Sequence, residues 1–206
     1  AYGLPGKDPA VKKVPVTAAG TTFPDIAGHP NKAAIEALAA RGIINGYNAS
    51  QFGPNDKITR AQFAKITIMA LGMSAQKTSA YSDVASDAWY AGWVGTATAY
   101  KIVNGYGGGK FGPDDYITRE QAATMVARAA KLCGMNPDAY SGGWRDYLAS
   151  FGDYMSVSDF ARGPLAFCYD QGILDKSALN INPKEEIKRC EIAQMVYNML
   201  SKAKLL

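Results

Sequence analysis

A threefold internal repeat constrains this chain more than any other feature, because a repeat dictates architecture before any single motif is weighed. Three short strings align: Ile58-Thr59-Arg60-Ala61-Gln62, Ile117-Thr118-Arg119-Glu120-Gln121 and Ile187-Lys188-Arg189-Cys190-Glu191. Their arginines lie 59 and 70 residues apart. An aromatic and an aspartate precede each string, in Phe23-Pro24-Asp25, Tyr81-Ser82-Asp83 and Phe151-Gly152-Asp153. The distance from aromatic to arginine is 37, 38 and 38 residues. Between them stand Phe52-Gly53-Pro54, Phe111-Gly112-Pro113 and the degenerate Ile181-Asn182-Pro183, where proline closes off helix and the tripeptide reads as a turn.

Each unit reads as helix, loop, helix. The first helix stops at Arg41-Gly42-Ile43, Lys101-Ile102-Val103 or Gln171-Gly172-Ile173, with glycine in two of the three suited to a left-handed cap. The second starts at the arginine string and runs about 12 residues, with apolar residues at helical spacing: Phe63, Ile66 and Ala70, then Ala122, Met125 and Ala129, then Ile192, Met195 and Met199. Ala64, Ala123 and Ala193 share one offset, where a small side chain admits a neighbouring helix. One helix pair cannot hide both apolar faces, so three units are expected to share one core. The expected boundaries are a loosely held extended leader at 1–22, repeats at 23–73, 81–135 and 151–202, and a surface-wrapping insertion at 136–150 that carries Gly142-Gly143-Trp144.

Composition narrows the chemistry. Of 206 residues, 48% are hydrophobic and 19% charged, enough to bury a core. A net charge of +4 without dense basic blocks does not favour nucleic acid as partner. The single histidine, His29, leaves no set of two histidine ligands for zinc, and no metal or other cofactor is expected. Cys133, Cys168 and Cys190 lie 35 and 22 residues apart, with neither zinc-knuckle nor thioredoxin spacing, and are expected to be buried free thiols. No apolar run approaches bilayer-spanning length. The start at Ala1, without an apolar signal core, is expected of a processed form or a fragment of something longer.

The arginine strings pose a physical question. Thr59 with Gln62, and Thr118 with Gln121, match the capping box. The arginine after the cap is not explained by it, since a cation at the first helical position faces the positive end of the helix dipole at a cost of roughly 0.3–1 kcal/mol. Either an anion, held by free helix-start amides and the guanidinium, or a salt bridge to Asp25, Asp83 or Asp153 would offset that.

Aromatic-x-Asp, the Gly-Ile helix end, Gly46-Tyr47 and Gly105-Tyr106, the Phe-Gly-Pro turn and the Ile-Thr-Arg-Ala-Gln box together resemble the S-layer homology (SLH) domain, in three copies from Phe23 to about Leu200. The resemblance implies an all-α, three-pronged body with pseudo-threefold symmetry and grooves between repeats. It implies a monomeric, non-enzymatic module, fused to cargo domains, that anchors proteins non-covalently at the bacterial cell surface. The implied ligand is a secondary cell-wall polysaccharide whose pyruvate ketal, on a sugar of the N-acetylmannosamine type, meets Arg60, Arg119 and Arg189. Pro30 stands where the family often has tryptophan, a position held by Trp89 in repeat two and Phe160 in repeat three. Repeat three also has Leu174-Asp175 in place of Gly-Tyr and Lys188 at the cap, so the groove around Arg189 is expected to depart most.

Other residues keep two readings. Asp25, Asp83 and Asp153 either bond sugar hydroxyls or cap the following loop. Tyr47 and Tyr106, beside Gly46 and Gly105, either line a groove where glycine lets ligand reach the backbone or stabilise a turn. Trp89 and Trp93, four apart on one helical face, suit core packing or sugar stacking. Two further functions compete: a glycan hydrolase, which needs one carboxylate pair about 5–9.5 Å apart, and a calcium-dependent helix-loop-helix module, whose ligand ladder the loops at Asn55-Asp56 and Asp114-Asp115 lack.

Overall fold

The computed structural model describes residues 2–76 and 81–206; Ala1, the first residue of the expected leader, lies outside them. Seven α-helices form among the described residues, and no strand does. They are α1 (Lys32–Ala40), α2 (Arg60–Ala70), α3 (Ala91–Ala99), α4 (Arg119–Leu132), α5 (Trp144–Leu148), α6 (Asp159–Asp170) and α7 (Arg189–Lys202). None is long and apolar enough to cross a membrane.

The helices pair across repeats instead of within them. α2 of repeat one packs on α3 of repeat two, α4 of repeat two on α6 of repeat three, and α7 of repeat three returns to α1 of repeat one. The arginine-bearing helices α2, α4 and α7 also touch one another at the centre. All nine of their repeated apolar positions are buried, and Ala64, Ala123 and Ala193 are fully buried, so the chain has one continuous core.

The ring is closed by backbone. Ile117 N–H donates to Ile58 O at 2.9 Å and Ile187 N–H to Ile117 O at 3.0 Å, and isolated bridges pair Lys57 with Lys188, Thr59 with Tyr116 and Thr118 with Glu186. The turn before each bridge needs a left-handed residue. Gly53 and Gly112 supply it at φ 72° and 73°, and Asn182 takes the same place at φ 53° in the degenerate turn, because asparagine tolerates that region better than other side chains.

The leader is held, contrary to the sequence expectation. Gly3 N–H donates to Lys204 O (3.1 Å), Asp8 N–H to Leu132 O (2.8 Å), Lys12 N–H to Leu71 O (2.9 Å) and Thr17 N–H to Ala40 O (2.9 Å). It thus runs past the C-terminal ends of α7, α4, α2 and α1 in turn, answering carbonyls that a helix end leaves unpaired. Val11 is fully buried among them. Periodicity misses this segment because its partners are backbone groups and its anchor is a single apolar residue. The 136–150 segment forms a 3-10 turn (Pro137–Tyr140) and α5, both packed on α6, with Leu148 buried.

Candidate functional site

Cyclic pairing brings each arginine to the loop of the next repeat. Arg60 Nε donates to Phe111 O (2.9 Å), Arg119 Nε to Ile181 O (2.9 Å) and Arg189 Nε to Phe52 O (3.0 Å). The helix starts are answered by the same loops. Arg60 and Ala61 N–H donate to Asp115 O and Pro113 O, Arg119 and Glu120 N–H to Glu185 O and Pro183 O, and Arg189 and Cys190 N–H to Asp56 O and Pro54 O, all at 2.8–3.1 Å. Gln62 and Gln121 N–H donate to the capping hydroxyls of Thr59 and Thr118. The first two amides of all three helices, and the third of α2 and α4, are therefore already occupied, so the guanidinium edge is the main feature that remains for a ligand.

Two of the three arginines are also held between rings. The Arg60 guanidinium lies 4.4 Å from the Tyr106 ring centre and 4.7 Å from that of Phe111; Arg189 lies 4.9 Å from Tyr47 and 4.6 Å from Phe52. Such stacking orients the planar fork. Each tyrosine is fixed from behind, Tyr106 hydroxyl donating to Asp115 Oδ2 (3.0 Å) and Tyr47 hydroxyl to Asp56 Oδ2 (2.9 Å). Both arginines are 6% exposed, and burial pushes their pKa values down. Arg189 Nη2 donates to Asn45 O at 2.6 Å.

Arg119 differs. Its Nη1 is paired with Glu191 of repeat three. In the other boxes the matching Gln62 and Gln121 turn back to accept from the cap backbone N–H of Thr59 and Thr118. At Lys188 the side chain makes no cap bond, and Glu191 reaches the neighbouring arginine instead.

The salt bridges expected from the three leading aspartates do not form. Phe52 N–H and Gly53 N–H donate to Asp25, Phe111 N–H and Gly112 N–H to Asp83, and Ile181 N–H and Asn182 N–H to Asp153, at 2.8–3.0 Å. Each carboxylate thus clamps the loop that receives an arginine, with both oxygens engaged. Desolvation pushes Asp25 and Asp83 up, and the amide bonds outweigh it, leaving both below the ordinary carboxylate value. The glycines face their own chain, not a ligand. A Cβ at Gly46 would stand 2.8 Å from Gln51 O and run into the Phe23 ring; one at Gly105 would stand 2.6 Å from Lys110 O and 2.7 Å from Tyr81.

Three grooves result, each assembled from all three repeats. The first carries Arg189, Tyr47, Lys65 and Trp89; the second Arg60, Tyr106, Arg128 and Phe160; the third Arg119, Leu174, Asp175, Glu191 and Asn31. Ile173 N–H donates to the carbonyl five residues back, as Ile43 and Ile102 N–H do, so Leu174-Asp175 matches Ile44-Asn45 and Val103-Asn104, and it is Lys176-Ser177 that stands in place of Gly-Tyr. That loss and the lost cap in repeat three fall in the groove around Arg119. The groove around Arg189 keeps its tyrosine, because each arginine meets the loop of the following repeat. Trp89 is 57% exposed and precedes α3, so the shared helical face with Trp93 does not exist; Trp93 alone packs against the core. Lys65, Arg128 and Glu191 were not singled out by sequence, because they stand at three different offsets from the arginines of their helices and the repeat carries no shared signal for them. The cysteines are buried and free.

Residues 22–64 and 80–123 match the S-layer homology domain. The chain is 33% identical over 184 residues to the Amylopullulanase of Thermoanaerobacterium thermosulfurigenes, covering 88% of this chain and 10% of that protein. It is 31% identical over 202 residues to Exoglucanase XynX of Acetivibrio thermocellus, covering 97% and 18%. A Surface layer protein of Brevibacillus choshinensis is 33% identical over 135 residues, covering 63% and 12%. The chain thus spans under a fifth of the length of each of these relatives, and what glycan-acting enzymes and a surface-layer protein share with it is this segment. With the family match in two repeats and the same clamp, turn and arginine in the third, the chain belongs to the S-layer homology family.

Proposed function

We propose that this chain is a wall-anchoring module that binds an acidic, pyruvylated secondary cell-wall polysaccharide in the grooves around Arg60 and Arg189. The observation that carries the reading is the stacked guanidinium. Its plane is locked by a tyrosine, a phenylalanine and a loop carbonyl, and a second cation, Arg128 or Lys65, lines the same groove. A carboxylate on a sugar suits that edge, and charged hydrogen bonds contribute roughly 1.5–3 kcal/mol each. Exposed Trp89 and Phe160 (57% and 53%) offer a face for a pyranose ring. The module binds without catalysis at the bacterial surface and holds the domains fused to it. The leading aspartates, spent on loop amides, are unsuited to acting as a hydrolytic pair.

Calorimetry with native wall polymer, and with the same polymer stripped of pyruvate, tests this. Arg60→Ala and Arg189→Ala are each expected to weaken binding at least about tenfold, the loss expected of one charged hydrogen bond. The stripped polymer should bind as weakly as the double variant. Parental affinity in a folded double variant refutes the reading.

A further inference from the structure

We propose that the third groove, around Arg119, takes an uncharged, amide-bearing saccharide, an N-acetylated hexosamine without an acid group. The inference rests on the reading of the other grooves as saccharide sites, and it assigns this one a different chemistry.

The acid-binding element is cancelled here. Glu191 occupies Arg119 Nη1, and the two side chains are 19% and 32% exposed. An incoming carboxylate would have to displace a tethered one that forms its contact without the entropic cost of association. The helix-borne second cation is also gone, and the one lysine at this groove, Lys176, stands on the loop beside Asp170 and Asp175. On the helix face where the other grooves carry Lys65 or Arg128, this one carries Gln194 and Asn198.

What replaces the charge is a chain of amides. Asn31 Nδ2 donates to Gln194 Oε1 (3.1 Å), Gln194 Nε2 to Asn198 Oδ1 (2.9 Å), and Asn198 Nδ2 to Ile173 O (3.1 Å). A primary amide carries two N–H donors and two acceptor lone pairs. Each member of the relay uses one donor within it, which orients the amide and leaves the other N–H for a ligand. Acetamido and hydroxyl groups need such paired donors and acceptors, whereas a carboxylate needs donors alone.

The apolar wall fits as well. Lys176-Ser177 takes the place of Gly-Tyr, so no tyrosine stands over the Arg119 fork from that loop, and Ile173, Leu174 and Met195 line the groove beside the amides, where an acetyl methyl can pack. The space is about 610 Å³, against about 360 Å³ and 200 Å³ around Arg60 and Arg189.

The test titrates two probes separately into isotope-labelled protein: neutral tri-N-acetylchitotriose and acidic pyruvylated N-acetylmannosamine. The neutral probe is expected to shift the side-chain amide signals of Asn31, Gln194 and Asn198. It should bind at least about tenfold more weakly to Gln194→Leu or Asn31→Ala, and equally well to the Arg60→Ala, Arg189→Ala double variant. Acidic-probe binding retained by Gln194→Leu and Asn31→Ala shows that both are folded. The inference is overturned if the neutral probe leaves those signals unmoved, if both single variants bind it like the parent, or if the acidic probe moves the same signals in the parent. If the parent itself fails to bind the acidic probe while the neutral response is intact, the proposed function is refuted and this inference stands.

Discussion

The leader offers a direct measure of how far this fold depends on a segment that looks unstructured in sequence. Val11→Ala removes two methyl groups from a fully buried site. At about 0.8 kcal/mol per buried carbon, transfer accounts for about 1.6 kcal/mol. The cavity left behind raises the total to about 2–3 kcal/mol. Midpoint shifts of about 2–4 °C per kcal/mol apply to a domain of roughly 150–250 residues, so thermal unfolding should fall by about 4–12 °C. Val16→Ala, at a residue 50% exposed in the same leader, is the control and should stay within about 0.5 kcal/mol of the parent. Differential scanning calorimetry on the three proteins reads the shift, and hydrogen exchange on the parent should show the Asp8 and Lys12 amides protected, since they bond Leu132 O and Leu71 O. If the two variants melt together, the leader is not part of the core and the reasoning fails.

The loop clamps predict a pH dependence. The folded pKa of Asp83 lies below its ordinary value of 3.8, so the stability it contributes is fully present above that value and is lost as pH falls through the lower, folded one. Asp83→Asn should therefore cost about 1–2 kcal/mol in urea unfolding near neutrality, with the gap to the parent closing as pH falls through the lowered, folded pKa; a gap independent of pH would contradict the clamp. The thiols should be inert in the native protein, since desolvation pushes Cys133 up to about 12 and Cys168 higher still, and Cys190 is 5% exposed. A colorimetric thiol reagent at mildly alkaline pH should react with three cysteines per chain only after denaturation.

Several features were legible because they are local. The capping boxes at Thr59 and Thr118, the left-handed turn glycines and the buried faces of α2, α4 and α7 follow from residues a few positions apart, where backbone sterics and helical period act directly. The three arginines stood out for the same reason, as cations at helix starts.

Which groups meet across the molecule was settled by tertiary structure alone. Sequence aligns each arginine with the loop of its own repeat, but the ring passes it to the next one, so the altered Lys176-Ser177 loop faces Arg119 while Arg189 keeps Tyr47. The same ring fills the helix-start amides with neighbouring carbonyls, ties the aspartates to loop amides and lets Glu191 neutralise one fork of three. The leader's place is decided likewise, by backbone carbonyls at helix ends that any sequence presents. Side-chain pattern encodes which faces are buried. Partner choice among near-identical repeats depends on the order in which the chain closes, a property no single repeat carries.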